Sequence, residues 1–194
     1  MDRAVLDRSG GEVAVLAGAA RRGADYAGAL ARARQHYDRL GGRVVDVPDP
    51  RDDVDGALAV LDDQIDLVVM PGGSPALLRE VLIDLHGGSV GQRLVDRWRA
   101  GVALSGASAG AMLLCSQTAV PGSAELASGL GLVMGIAVPH WTEGSETRWS
   151  LPDDVELWGL PECGGVLIER ESMVAVGEGD PSIRVDGRWR PIAR

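Results

Sequence analysis

Apolar positions in the first two thirds of the chain follow two alternating rhythms. The runs Glu12–Ala17 (EVAVLA), Arg43–Val47, Asp66–Met70 (DLVVM) and Val102–Leu104 are short and mostly apolar, as expected of strands buried on both faces. Between them, apolar residues recur at helical spacing over Tyr26–Leu40, Val54–Asp63, Pro75–Leu85 and Gly91–Ala100, and Gly41-Gly42 stops the first of these helices. Strand and helix in turn predict a parallel sheet covered by helices on both faces. Beyond Leu132 the rhythm changes to short strands: Val133–Val138, Val155–Trp158, Val166–Glu169, Met173–Val176, and a pair flanking Asp186-Gly187, a hairpin dipeptide. The expected fold class is α/β. It is a three-layer sandwich with a mostly parallel central sheet, helices on both faces, and antiparallel strands added at one edge by the C-terminal part. No repeat or low-complexity linker interrupts residues 1–194, which are read as a single domain.

Composition narrows the class. Hydrophobic residues make up 45% and charged residues 24% of the 194, a globular profile. The formal charge of −9 argues against a nucleic-acid partner, which requires a basic face. Lys, Asn and Phe are absent, so all 19 basic side chains are Arg. These three residues have AT-rich codons, and a GC-rich gene accounts for their absence, so the Arg excess carries no mechanism. Cys115 and Cys163 form neither a disulfide framework nor a metal-ligand pattern, and Cys163 is expected to be a buried, inert thiol, with a redox-sensitive thiol as the alternative. No metal or cofactor is expected. The N-terminus lacks the features of a signal peptide and no apolar stretch is long enough to span a bilayer, so a cytoplasmic location and no membrane partner are expected.

One segment carries chemistry. Ser105–Ala111 (SGASAGA) contains Gly106-x-Ser108-x-Gly110 between the Val102–Leu104 strand and the helix-forming run Ala109–Cys115. A sharp strand-to-helix turn holds its central serine above the sheet edge in a strained conformation, and small neighbours prevent clashes. The amide of Ala109 would then face a developing oxyanion. The same spacing also arises in a small-residue turn packed for purely steric reasons. The position directly after a buried strand favours the nucleophile reading.

A serine nucleophile needs a base. Of the three histidines, His36 sits in a polar helical stretch and His86 precedes Gly87-Gly88 at a helix end, whereas His140 follows a strand in Val138-Pro139-His140-Trp141. An imidazole in turn needs an orienting acceptor. Glu162, in the loop segment Gly159-Leu160-Pro161-Glu162, is one candidate; Glu125, Glu143, Glu146, Asp153 and Asp154 are not excluded by spacing.

Four segments in order, Pro71-Gly72-Gly73-Ser74, Ser108-Ala109-Gly110-Ala111, Pro139-His140-Trp141 and Gly159-Leu160-Pro161-Glu162, give the chain a resemblance to the peptidase E (aspartyl dipeptidase) and cyanophycinase family of serine peptidases. The resemblance implies a fold similar to class I glutamine amidotransferases and a Ser108–His140–Glu162 triad. It also implies a second oxyanion donor from the Gly72-Gly73 turn, with Gly73 the choice. The amidotransferases carry Cys at the elbow, so Ser108 speaks against amidotransfer. The chain departs from the family in the turn, where Pro71 and Ser74 replace a glycine and an Asn or Asp. The Cys115-to-His140 and His140-to-Glu162 intervals are also short. These departures lie where substrate would be gripped, so aspartyl specificity is not carried over. Arg148, in Glu146-Thr147-Arg148, is a candidate for a substrate carboxylate, with a solvated loop as the alternative. Trp141 and Trp149 either line a pocket or serve packing.

The expected function is a serine peptidase or amidohydrolase cleaving a small peptide or isopeptide through an acyl-enzyme. Two alternatives stand beside it: an idle relative that binds a small molecule or protein, and an esterase on the same triad. The expected partner is a small peptide-like substrate, with a homodimer left open.

Overall fold

The computed structural model describes residues 2–119, 125–145, 151, 154–169 and 172–194. Its frame is a parallel sheet of β1 (Glu12–Val15), β2 (Arg43–Asp46), β3 (Leu67–Met70) and β4 (Ala103–Gly106), in the order β2-β1-β3-β4. Val13 pairs with Val44 on one side and Leu67 on the other, and Met70 pairs with Gly106. The helices are α1 (Asp2–Ser9), α2 (Ala24–Arg39), α3 (Val54–Asp62), α4 (Pro75–Arg79), α5 (Ser89–Arg99) and α6 (Ala109–Leu114).

Successive side chains on a strand point to opposite faces, so continuous apolar strands need cover on both. Val13, Val15, Leu67 and Val69 pack with Leu6 of α1 and Tyr37 of α2. Ala14, Leu16, Val68 and Met70 face the other way, into a core with Leu61 of α3, Leu78 of α4, Leu94 of α5 and Leu113 of α6. Each Leu or Val removed completely from water contributes about 1.5–3 kcal/mol, which is why the sheet forms the centre.

Local signals set the helix starts. The Asp53 carboxylate accepts the Gly56 amide at 2.9 Å and caps α3. Ser74 Oγ accepts the Leu77 amide at 3.4 Å, with Pro75 in the first turn of α4. The helix expected over Pro75–Leu85 is α-helical only to Arg79. It widens into a π-turn over Glu80–Asp84 and closes with a tight turn over Leu85–Gly88, in which His86 and Gly87 adopt φ of 49° and 63°.

The C-terminal third is also strand-rich, but its hydrogen bonding differs from a simple extension of the parallel sheet. β7 (Ile136–Pro139) and β8 (Leu157–Leu160) pair in parallel, and β11 (Ser182–Val185) and β12 (Arg188–Pro191) complete a second sheet in the order β12-β11-β8-β7. Strands β9 (Gly164–Glu169) and β10 (Ser172–Gly177) form a separate antiparallel pair, as do β5 (Gln117–Ala119) and β6 (Leu126–Ser128). These strands join the body through side chains: Ala137, Trp158, Ala175 and Ile183 share one core with Met112 and Leu113 of α6. The β11–β12 turn at Asp186-Gly187 has φ of 50° and 71°, both positive, as a type I′ hairpin requires. Among the described residues no helix is long and apolar enough to cross a membrane.

Candidate active site

In the order β2-β1-β3-β4, the chain leaves β1 toward one edge and β3 toward the other, opening a crevice at the carboxyl ends of these strands. There β3 runs into Pro71-Gly72-Gly73-Ser74, and β4 runs through Ala107 into Ser108 at the head of α6. Ser108 has φ 49° and ψ −107°, a conformation that costs a residue with a Cβ about 1–3 kcal/mol. The flanking glycines make the turn possible. A Cβ on Gly106 would lie 2.4 Å from the Gly110 carbonyl carbon, and one on Gly110 would lie 2.3 Å from the Met70 carbonyl oxygen. The packing reading of this segment and the elbow reading therefore coincide, because close packing is what allows the bend.

His140 and Glu162 arrive from adjacent parallel strands. Pro139 of β7 is in register with Leu160 of β8, so the residues that follow emerge side by side at one edge. His140 Nε2 lies 3.3 Å from Ser108 Oγ, and His140 Nδ1 lies 2.5 Å from Glu162 Oε1. Three residues distant in sequence thus form one hydrogen-bonded row. With Nδ1–H donating to the carboxylate, Nε2 is left as the acceptor for the serine hydroxyl. His140 itself has φ 56° and Cys163, next to Glu162, has φ 57°. Of the five described non-glycine residues with positive φ, three cluster here, which marks a locally strained site. The row is open to water, with the side chains of His140 and Glu162 63% and 78% exposed.

The other histidines are engaged elsewhere. His36 pairs with Asp2 at 2.8 Å on the surface, and His86 Nε2 lies 3.1 Å from the Pro50 carbonyl. Among the candidate carboxylates it is Glu162 that meets His140; Glu146 and Asp153 lie outside the described residues. Arg148 and Trp149 also lie outside them. Trp141 packs against the Trp189 ring with centroids 4.9 Å apart and against Gly159, so its ring serves the second sheet.

The glycine turn abuts the serine. A Cβ on Gly72 would stand 3.2 Å from Ser108 Cβ. Gly73 has φ 155°, and a Cβ there would meet the Ala19 carbonyl oxygen at 2.6 Å; that same oxygen accepts the Ser74 amide at 2.9 Å. The amides of Gly72, Gly73 and Ala109 have no acceptor among the described residues and remain available as donors. Ala19, in the loop after β1, is a member of this site that the sequence reading missed. Its contribution is a backbone carbonyl, which no side-chain pattern reveals.

No group of three His, Cys, Asp or Glu among the described residues is placed to hold a metal ion. Cys115 is buried behind the elbow, and burial pushes its thiol up to about 12. Cys163, expected to be buried, is instead exposed, because the turn between β8 and β9 carries it to the surface.

A parallel sheet with a crevice at its carboxyl edge, and a strained serine there within reach of an imidazole and a carboxylate, define an α/β protein of hydrolytic type. The chain belongs to peptidase family S51, whose model matches residues 4–180. Solved structures agree on the fold. A peptidase from an acI-B1 Actinobacterium superposes with a TM-score of 0.78 at 22% identity, covering 99% of this chain and 86% of that one. A putative peptidase E protein from Listeria monocytogenes EGD-e superposes with a TM-score of 0.63 at 14% identity, covering 88% of each chain. A search of curated protein sequences returns no significant match.

Proposed function

We propose that this peptidase is a serine amidohydrolase acting on a small peptide or isopeptide, with Ser108 as nucleophile, His140 as general base and acid, and Glu162 as the orienting carboxylate. The observation that carries the reading is the continuous row from Ser108 Oγ through both ring nitrogens of His140 to Glu162 Oε1. Ser108 Oγ attacks the scissile carbonyl carbon as His140 Nε2 takes its proton. The carbonyl oxygen becomes an oxyanion held by the amides of Ala109 and Gly73. Collapse of this intermediate breaks the C–N bond, and His140 returns the proton to the departing amine, leaving an acyl group on Ser108. Water, deprotonated by His140, attacks the ester and releases the acid. Glu162 keeps the proton on Nδ1 throughout and stabilises the transient imidazolium.

The 3.3 Å separation of serine and imidazole is at the long end for a hydrogen bond, as catalytic contacts often are before substrate binds. The exposed His140–Glu162 side of the row suits a small substrate entering from solvent.

The test is covalent labelling. A fluorophosphonate should add once, at Ser108, and Ser108→Ala should abolish the adduct; labelling at another residue would overturn the assignment. Hydrolysis of a dipeptide library that includes Asp-X and β-aspartyl-arginine, alongside matched esters, then identifies the bond cleaved and separates amidase from esterase.

A further inference from the structure

We infer that the buried Arg51–Asp49 ion pair is a positioning device for the proposed oxyanion turn, acting through the loop after β1; the inference rests on the serine-hydrolase reading of the site. Arg51 and Asp49 lie in the loop after β2, two strands away from β3. Their side chains are 2% and 8% exposed, which is unusual for two charged groups outside the triad. The guanidinium forks onto the carboxylate, Nε to Oδ1 and Nη2 to Oδ2, each at 2.8 Å. Nη2 also donates to the Ala20 carbonyl at 2.8 Å, beyond the reach of its own loop.

That last bond starts a relay that crosses the sheet's carboxyl edge strand by strand. Arg51, after β2, holds Ala20, after β1. The adjacent Ala19 carbonyl accepts the Ser74 amide at 2.9 Å, after β3. Ala19 also packs so tightly on Gly73 that no Cβ fits between them, and this contact fixes Gly73 at φ 155°. Gly72, its neighbour, packs against Ser108 Cβ, after β4. The orientation of the Gly73 amide therefore depends on where the Ala19–Ala20 backbone is held. The near end of the relay is itself braced. Tyr26 Oη donates to the Val47 carbonyl at 2.9 Å, the Tyr26 ring lies 5.8 Å below the guanidinium, and His86 Nε2 reaches the Pro50 carbonyl.

An apolar pair of equal volume would fill this space at no desolvation cost. What the guanidinium adds is direction: its planar fork has fixed donor geometry, so the carboxylate on one edge sets where the Ala20 carbonyl must sit. A displacement of about 1 Å at a transition-state donor is enough to cost up to 10²-fold in rate. Arg51 touches neither substrate nor the triad and acts only through the turn.

The experiment uses the full chain and a fluorophosphonate, whose reaction at Ser108 separates into a binding constant KI and a rate constant kinact. Three variants are compared with the wild type. Arg51→Lys keeps the charge but loses the fork, and the pair Asp49→Asn/Arg51→Met leaves no buried charge. Arg22→Gln removes an exposed ion pair with Asp52 that joins the same two loops at the surface, and serves as control. The expected result is a fall in kinact of about 10- to 100-fold in both Arg51 variants, with KI within about twofold and the midpoint of the kinact–pH profile unmoved. Arg22→Gln should match the wild type. Folded Arg51 variants with wild-type kinact would overturn the inference, as would a rise in KI alone or a failure of both variants to fold in the cold. A wild-type chain inert at Ser108 would instead sink the hydrolase reading, and the inference with it.

Discussion

His140 Nδ1 and Glu162 Oε1 lie 2.5 Å apart although they leave different strands, because β7 and β8 run parallel with Pro139 opposite Leu160. The pairing of two strands thus sets the geometry between imidazole and carboxylate. Glu162 is 78% exposed, so water competes for the imidazole and the carboxylate is worth less than a buried one would be. Glu162→Gln is expected to lower kcat/KM about 10²-fold, against at least about 10³-fold for Ser108→Ala or His140→Ala. Steady-state kinetics on one amide substrate, with the three variants side by side, checks the ranking. An inactive Glu162→Gln beside an active His140→Ala would contradict it.

Gly110 stands so close to β3 that a methyl group there would overlap the Met70 carbonyl oxygen. Because the atom it meets is backbone, no side-chain rotation relieves the clash. Gly110→Ala is expected to destabilise the fold by about 2–3 kcal/mol, or roughly 4–12 °C in Tm for a chain of this size. It should also move Ser108 away from His140 and lose labelling at any temperature. Calorimetry with fluorophosphonate labelling of the folded fraction tests both. Unchanged Tm and labelling would mean that the elbow is looser than its contacts imply.

The parallel half was legible because its strands and helices differ in period. Each expected strand and helix from Glu12 to Ala100 is found within a few residues of its place, except that the helix expected over Pro75–Leu85 is α-helical only to Arg79. The convergence of Ser108, His140 and Glu162 was legible because each sits in a short segment bounded by Gly or Pro and next to a strand. Other features left no trace in periodicity. Helix α1 is polar and buries only Leu6, so its pattern falls below notice. Hairpin β5–β6 is made of three-residue strands, too short to alternate visibly. The antiparallel C-terminal strands are present but form sheets of their own: α6 packs against β7, so they share the core without extending the parallel hydrogen-bond ladder. The exposure of Cys163 depends on a left-handed backbone turn, which a cysteine does not announce.

The two cysteines should respond oppositely to an alkylating agent. Cys115 is 3% exposed and holds its proton to about 12, while Cys163 is at the surface. Thiolate is the reacting species and access is required. Iodoacetamide at pH 8 is therefore expected to modify Cys163 alone in the folded protein, and both cysteines in urea. Intact-mass and peptide mass spectrometry read the result directly; early modification of Cys115 would mean that the core behind the elbow opens readily.

Alkaline pH should unfold the protein by a route traceable to three buried acids. Burial raises the Cys115 thiol from 9.0 to about 12, and burial likewise raises the phenols of Tyr26 and Tyr37 above their usual 10.0. Each group keeps its proton longer in the folded chain than in the unfolded one. Below the unfolded value both states are protonated and the stabilisation from keeping the neutral form buried is fully present. Above it only the unfolded state ionises, so stability falls as pH rises, by up to about 1.4 kcal/mol per pH unit for each group. Urea midpoints should accordingly hold steady to about pH 8.5 and then decline, with the thiol acting from about pH 9 and the phenols adding from about pH 10. Tyr37→Phe keeps the ring and removes the ionisable group, and is expected to flatten the decline above pH 10 without altering the onset near pH 9. A decline of equal slope in wild type and Tyr37→Phe would show that the phenol reaches water before the fold gives way.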